Sequence, residues 1–307
     1  MILSPEVLDV RESQRLRHIQ RTAGGRADFF SRGLSELHDL PYRNDHDPRH
    51  TLDLIRPETT GEKLPVIIEI HGGGYTACGK EINLLHARAF AHLGFSVVNG
   101  EYSLHPEVDF DAELGELADL VGWTSTHAEE HGIDPTRIFM SGDSAGGHLV
   151  LLYLALQSDP SLAQQLGVSP SQAKIRAAAV TCPLCRLEGE GNVQPVLESF
   201  VRMMYPGGTT KEYLKQFDIL RLFQQIHCPP VMVITTPGDI LFHKESLLLK
   251  RALEEQNLNH DFRVYESEGN TLGHVFNVLY PEYAESMKAN RDIADFFLSH
   301  AKQDDSP

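Results

Sequence analysis

Basic residues are scarce: 27 lysines and arginines stand against 43 aspartates and glutamates, a formal net charge of −16 over 307 residues. An acidic surface repels phosphate backbones and anionic lipid, which argues against nucleic acid and membrane as partners. Long apolar runs are missing too, and none approaches the ~18 residues that span a bilayer. The opening Met1-Ile2-Leu3-Ser4-Pro5-Glu6 meets charge at once and lacks a signal-peptide core, so a cytoplasmic location is expected. Cysteine is rare, and four in a chain of this length make no disulfide framework. Cys182-Pro-Leu-Cys185 has no second pair of that spacing and no redox setting. Both therefore read as small buried residues ending a strand, and no metal is expected. Repeats and low-complexity tracts are absent.

What remains is an ordinary globular composition, 41% hydrophobic and 23% charged, long enough for one α/β domain with insertions. Ser4-Pro5-Glu6 opens an N-capped helix running to Gly24-Gly25, and a second short helical piece follows from Ala27 to Leu37. Residues 1–38 are thus expected to form an N-terminal helical cap segment, with the main domain over 39–301 and a disordered tail at 302–307. Leu40–Tyr42 and Thr51–Ile55 read as antiparallel strands about a polar turn. Val66–Ile70 is almost continuously apolar, as a strand buried on both faces must be. Helices at Glu81–Leu93, Phe110–His131, His243–Gln256 and Pro281–Ser299 then alternate with strands at Phe95–Val98, Ile175–Val180, Pro230–Thr235 and Asp261–Glu266. The alternation predicts a mostly parallel sheet with helices on both faces.

The most informative stretch is Ile138-Phe-Met-Ser-Gly142-Asp143-Ser144-Ala145-Gly146-Gly147-His148. A short apolar strand runs into Gly-x-Ser-x-Gly, and an apolar helix leaves it over Ala145–Gln157. Strand, sharp turn and helix hold a serine hydroxyl in open space above a helix N-terminus, which favours developing negative charge. His71-Gly72-Gly73-Gly74-Tyr75 follows the strand Val66–Ile70. Only side-chain-free backbone can bring several N–H donors to one point, so Gly72 and Gly73, with Ala145, are the expected oxyanion donors. His71 is expected to brace that loop.

A serine hydroxyl needs an imidazole to take its proton. His274 lies after the last strand and before the final helix, and Asp239 ends the strand before it, giving the chain order Ser, acid, His. Asp239 would fix the His274 tautomer and stabilise the imidazolium formed on attack. A lid insertion is expected over about 186–226, with Phe200, Met203, Met204 and Tyr205 as apolar walls. Tyr75, Asp143, Met204 and Tyr205 are the candidate substrate contacts.

His71-Gly-Gly-Gly-Tyr75, Gly142-Asp-Ser-Ala-Gly-Gly147, Tyr102-Ser-Leu-His-Pro-Glu107 and Gly132-Ile-Asp-Pro-Thr-Arg-Ile138 together resemble the hormone-sensitive-lipase branch of the α/β-hydrolases over roughly 40–300. The sequence departs from that branch at Ser103, at His105, after Asp239 and at His148, where the branch commonly has Asn. The resemblance implies the α/β-hydrolase fold and a serine carboxylesterase acting on short-acyl, small-molecule esters. It also implies no cofactor, and a homodimer as a common assembly. Two alternatives stay open: an arylformamidase or other amide hydrolase using the same triad, and a non-catalytic ligand-binding homologue.

Overall fold

The computed structural model describes residues 3–22, 28, 30–58, 61–188, 194–224 and 226–301. Helix α1 (Pro5–Thr22) leads into strands β1 (Leu34–Pro41), β2 (Thr51–Pro57) and β3 (Leu64–Ile70). Then come α2 (Leu84–His92), β4 (Ser96–Gly100), α3 (Phe110–Thr126), β5 (Ile133–Asp143), α4 (Ser144–Ser158), α5 (Pro160–Leu166) and β6 (Ile175–Thr181). Three helices fill the insertion, α6 (Gln194–Met204), α7 (Lys211–Leu214) and α8 (Ile219–Leu222). The chain closes with β7 (Val231–Thr235), α9 (His243–Glu255), β8 (His260–Val264), α10 (Phe276–Leu279) and α11 (Ala284–Ser299).

The strands form one sheet in the order β1-β2-β4-β3-β5-β6-β7-β8. Pairings β1–β2 and β2–β4 are antiparallel and all the others parallel, so the expected mostly parallel sheet is found. Central strands are apolar on both faces because each face carries its own core. One holds Ile68, Met140, Val180, α3 and α4; the other holds Ile67, Phe139, Ala179, α2 and α11.

The helix expected over Ala27–Leu37 is corrected. Part of that stretch lies outside the described residues, and Leu34–Leu37 opens β1, pairing with β2 from Leu34↔Pro57 onward. An edge strand largely exposed on both faces carries little alternation, so its composition gives no strand signal. Ladder pairing decides instead, helped by Glu36 with Arg88 at 2.7 Å and by Lys80 bridging Asp39 and Asp53. The sheet therefore begins at Leu34 rather than 39. Two helices are shorter than expected: Lys80–Asn83 is 3₁₀ before α2, and α3 stops at Thr126. The expected end of α1 at Gly24-Gly25 and the tail at 302–307 lie outside the described residues.

Candidate active site

Parallel register decides which loops meet. Ile70 pairs with Gly142 across β3 and β5, Asp143 with Thr181 across β5 and β6, and Thr235 with Val264 across β7 and β8. The segments opening at His71, Ser144, Cys182, Thr236 and Tyr265 therefore leave the sheet at its carboxyl edge, where open α/β sheets take ligands.

Ser144 sits at the junction of β5 and α4 with φ +52°, a left-handed conformation that an ordinary residue holds only under constraint. The constraint is close packing at the glycines. A Cβ at Gly142 would stand 2.7 Å from Gly146 O, and one at Gly146 only 2.3 Å from Ile70 O. The turn thus presses strand and helix together with Ser144 at their junction, the backbone geometry of a nucleophile elbow.

The glycine run lies against that serine: a Cβ at Gly72 would be 3.1 Å from Ser144 Cβ. Gly73, Gly74 and Tyr75 all have positive φ, at +130°, +61° and +64°. Gly72 must be removed from the expected donor set, because its N–H already donates to Asp143 Oδ1 at 3.1 Å. Among the described residues the N–H groups of Gly73 and Gly74 meet no protein acceptor. Ala145 N–H lies in the first turn of α4, where no intrahelical acceptor exists. His71 does brace the loop: Nδ1–H donates to Gly72 O at 2.8 Å, Nε2 faces Glu101, and the ring stacks on Tyr102 at 4.3 Å.

His274 Nδ1 stands 3.0 Å from Asp239 Oδ2. Asp239 Oδ1 accepts from the N–H groups of Leu241 and Phe242 at 3.0 and 3.1 Å. Burial alone would raise the Asp239 pKa, but the hydrogen bond and charge of His274 and the Phe242 N–H outweigh it and hold it low. The His274 charge also reaches Asp143, the residue before Ser144; burial nevertheless leaves the Asp143 carboxyl raised. Cys182 Sγ lies within 4.8 Å of the facing atoms of Asp239 and His274. Burial, reinforced by the Asp239 charge, pushes that thiol well above its usual range. Cys182 and Cys185 are both buried, as expected.

The candidate substrate contacts fare differently. Tyr75 is fully buried, its hydroxyl donating to His148 Nδ1 at 2.8 Å. Asp143 is buried between Gly72 N–H and Asn83 Nδ2. Met204 is packed into the core, and the Tyr205 hydroxyl donates to Asp109 at 2.7 Å. Burial and internal partners thus argue against substrate contact by Tyr75, Asp143 and Met204, whereas Tyr205 is half-buried and lines a cavity in the insertion with Leu187, Leu197 and Val201. The insertion does cover the loop, through Phe200 on α6: a Cβ at Gly74 would stand 2.9 Å from the Phe200 ring. Glu6 on α1 pairs with Arg202 on α6 at 2.9 Å, so the N-terminal helix touches the insertion.

The model of the alpha/beta hydrolase fold family matches residues 67–276, more than half of the chain. The chain belongs to the alpha/beta hydrolase family. Among relatives of this hydrolase, esterase LipQ of Mycobacterium tuberculosis is 29% identical over 177 residues, 55% of this chain and 41% of that protein. Hormone-sensitive lipase of Bos taurus is 32% identical over 103 residues, 33% of this chain and 14% of the lipase, in line with the expected branch. The matches thus span less than half the length of these curated relatives. Esterase B from Lactobacillus rhamnosis superposes with a TM-score of 0.88 at 24% identity, covering 98% of this hydrolase and 96% of that chain, so the whole fold is shared.

Proposed function

We propose that this hydrolase is a serine carboxylesterase for small, short-acyl esters, with Ser144 as nucleophile, His274 as general base and Asp239 as its orienting acid. The observation that carries the reading is the 3.0 Å His274–Asp239 bond, at the same sheet edge as a serine held at φ +52°. Ser144 Oγ attacks the ester carbonyl while His274 Nε2 takes its proton, and the imidazolium gains the Asp239 charge. The N–H groups of Gly73, Gly74 and Ala145 receive the negative charge that forms on the carbonyl oxygen. Collapse expels the alcohol, protonated by His274, and leaves an acyl-Ser144 ester. Water activated by the same imidazole then attacks that ester and returns free acid and serine. No step calls for a cofactor.

The cover formed by α1 and α6 bounds the acyl or alcohol side through Phe200. The free thiols of Cys182, Cys185 and Cys228 support a reducing, cytoplasmic setting. A panel of p-nitrophenyl esters of graded acyl length tests the reading, with wild type turning over the short members and Ser144→Ala none. Because Esterase B has been solved with a tributyrin phosphonate, a short-chain phosphonate is a suitable probe. It should label wild type with one equivalent and leave Ser144→Ala unlabelled. Ester turnover that survives in Ser144→Ala sinks the proposal.

A further inference from the structure

The glycine run is fastened at both ends to residues that flank the serine. At its start, Gly72 N–H donates to Asp143, one residue before Ser144. At its far end, the Tyr75 hydroxyl donates to His148 Nδ1 at 2.8 Å. His148 lies four residues after Ser144 on α4, one turn along the same helix face. Its other nitrogen, Nε2, is 2.7 Å from Phe217 O, in the insertion.

A carbonyl oxygen can only accept, so Nε2 carries the proton and Nδ1 is left bare to accept from Tyr75. One neutral ring thereby ties together the end of the glycine run, the helix that carries the serine, and the cover. Tyr75 and His148 are fully buried, and Phe217 nearly so. Phe110 fills the space between them, 5.2 Å from Tyr75 and 4.3 Å from Phe217 between ring centres. Burial shields these bonds from bulk solvent.

We propose that His148 is a positioning residue for the oxyanion donors, acting through the Tyr75 hydroxyl to set Gly73 and Gly74 against Ser144. The proposal rests on the esterase reading above. Its physical basis is that three consecutive residues with positive φ, Gly73 to Tyr75, have no ladder or helix to hold them. The loop's other backbone bonds, Ala77 N–H to Gly73 O at 3.2 Å and His105 N–H to Tyr75 O at 2.9 Å, bind it to its own neighbours and not to the elbow. Gly72 and Tyr75 alone carry hydrogen bonds, among the described residues, from the run to the serine's flanks. A donor displaced by about 1 Å costs up to a hundredfold in rate.

The two nitrogens can be separated by substitution. An asparagine amide places an acceptor near Nδ1 and cannot reach Phe217, whereas a glutamine amide reaches Phe217 and vacates the Nδ1 position. Tyr75→Phe removes the donor itself with little change of shape. The measurement is kcat and KM on p-nitrophenyl acetate, with active sites counted by phosphonate labelling so that unfolded protein does not enter kcat. Expected are a tenfold to hundredfold fall in kcat for Tyr75→Phe and His148→Gln, KM changed less than twofold, and near-wild-type kcat for His148→Asn. The double variant Tyr75→Phe/His148→Gln should be no slower than the worse single one. Unchanged kcat per active site in Tyr75→Phe, or His148→Asn as slow as His148→Gln, overturns the positioning role while ester turnover by wild type leaves the esterase reading intact. A wild type that turns over no ester overturns both.

Discussion

In the proposed mechanism Asp239 does two jobs that a neutral amide cannot do together: it fixes which nitrogen of His274 carries the proton, and it supplies charge to the imidazolium. Asp239→Asn keeps the shape and loses both, so kcat should fall on the order of 10³–10⁴-fold with little change in melting temperature. Ester kinetics with a parallel thermal melt check this, and a fall under tenfold would remove Asp239 from the triad. Gly146 is a second residue whose role is geometric. Gly146→Ala would drive a Cβ to within 2.3 Å of Ile70 O and 2.4 Å of His71 O, both backbone, so neither can yield cheaply. A loss of about 1–3 kcal/mol or more is expected by urea unfolding. Gly207→Ala, with nothing within 4 Å, should be close to neutral. At this scale chain order and motif together pointed to the sharp turn at Ser144 and to the pairing of Asp239 with His274. The expectation for Gly72 failed, because a side chain reaching a backbone N–H 71 residues away leaves no local mark. The same holds for the Cys182 thiol against Asp239, which becomes visible only when β6 and β7 are placed side by side.

Among the elements, α6 is the one proposed to bound what the site admits. Phe200 rests on Gly74, the middle of the three residues with positive φ. Phe200→Ala should open space directly over the donors and shift acyl preference toward longer chains, by several-fold in relative kcat/KM across the ester panel. An unchanged preference would place the acyl group elsewhere. Helix α1 is also held to the loops of the main domain: Arg11 donates to Glu107 at 2.7 and 2.8 Å and to Thr76 O at 2.8 Å. The elements that could be read from sequence were those with strong periodicity or continuous apolar runs, β3 and α4 above all. The first half of β1, Leu34–Leu37, reads as helix because an exposed edge offers no alternation, and the bulge between Leu37 and Leu40 separates it from the Leu40–Tyr42 strand that is legible. The cover could be located by its apolar residues but not oriented. Which of them faces the site depends on how α6 seats on the glycine run, and that is a tertiary fact.

For the molecule as a whole, buried histidines of opposite behaviour bracket the pH range of stability. His148 has no charged partner, and burial holds its pKa down to about 4. Unfolding frees it to bind a proton near ~6.5. Its contribution is therefore complete above that value and is lost as pH falls through 6.5 toward 4. Glu101 acts in the same direction lower down. Burial would raise it, but His71, Arg49 and the Lys80 N–H hold it at about 2, so its contribution fades below the ordinary carboxylate range. His105 is the opposite case. Burial would lower it, yet Glu113 at 3.1 Å and Asp109 at 3.4 Å raise it to about 9. Its contribution is complete below ~6.5 and is lost as pH rises through 9. Glu113 itself is raised to about 6 by burial, which tilts stability slightly toward acid between 4.5 and 6 and partly offsets His148 there. Melting temperature should therefore peak near neutrality and decline on both sides. His148→Asn should flatten the acid limb between 6.5 and 4, and His105→Asn the alkaline limb between 7 and 9, each leaving the other limb in place. An alkaline limb that persists in His105→Asn would mean that the buried pair with Glu113 is not what senses base, and the lysines and tyrosines of the surface would then have to supply it.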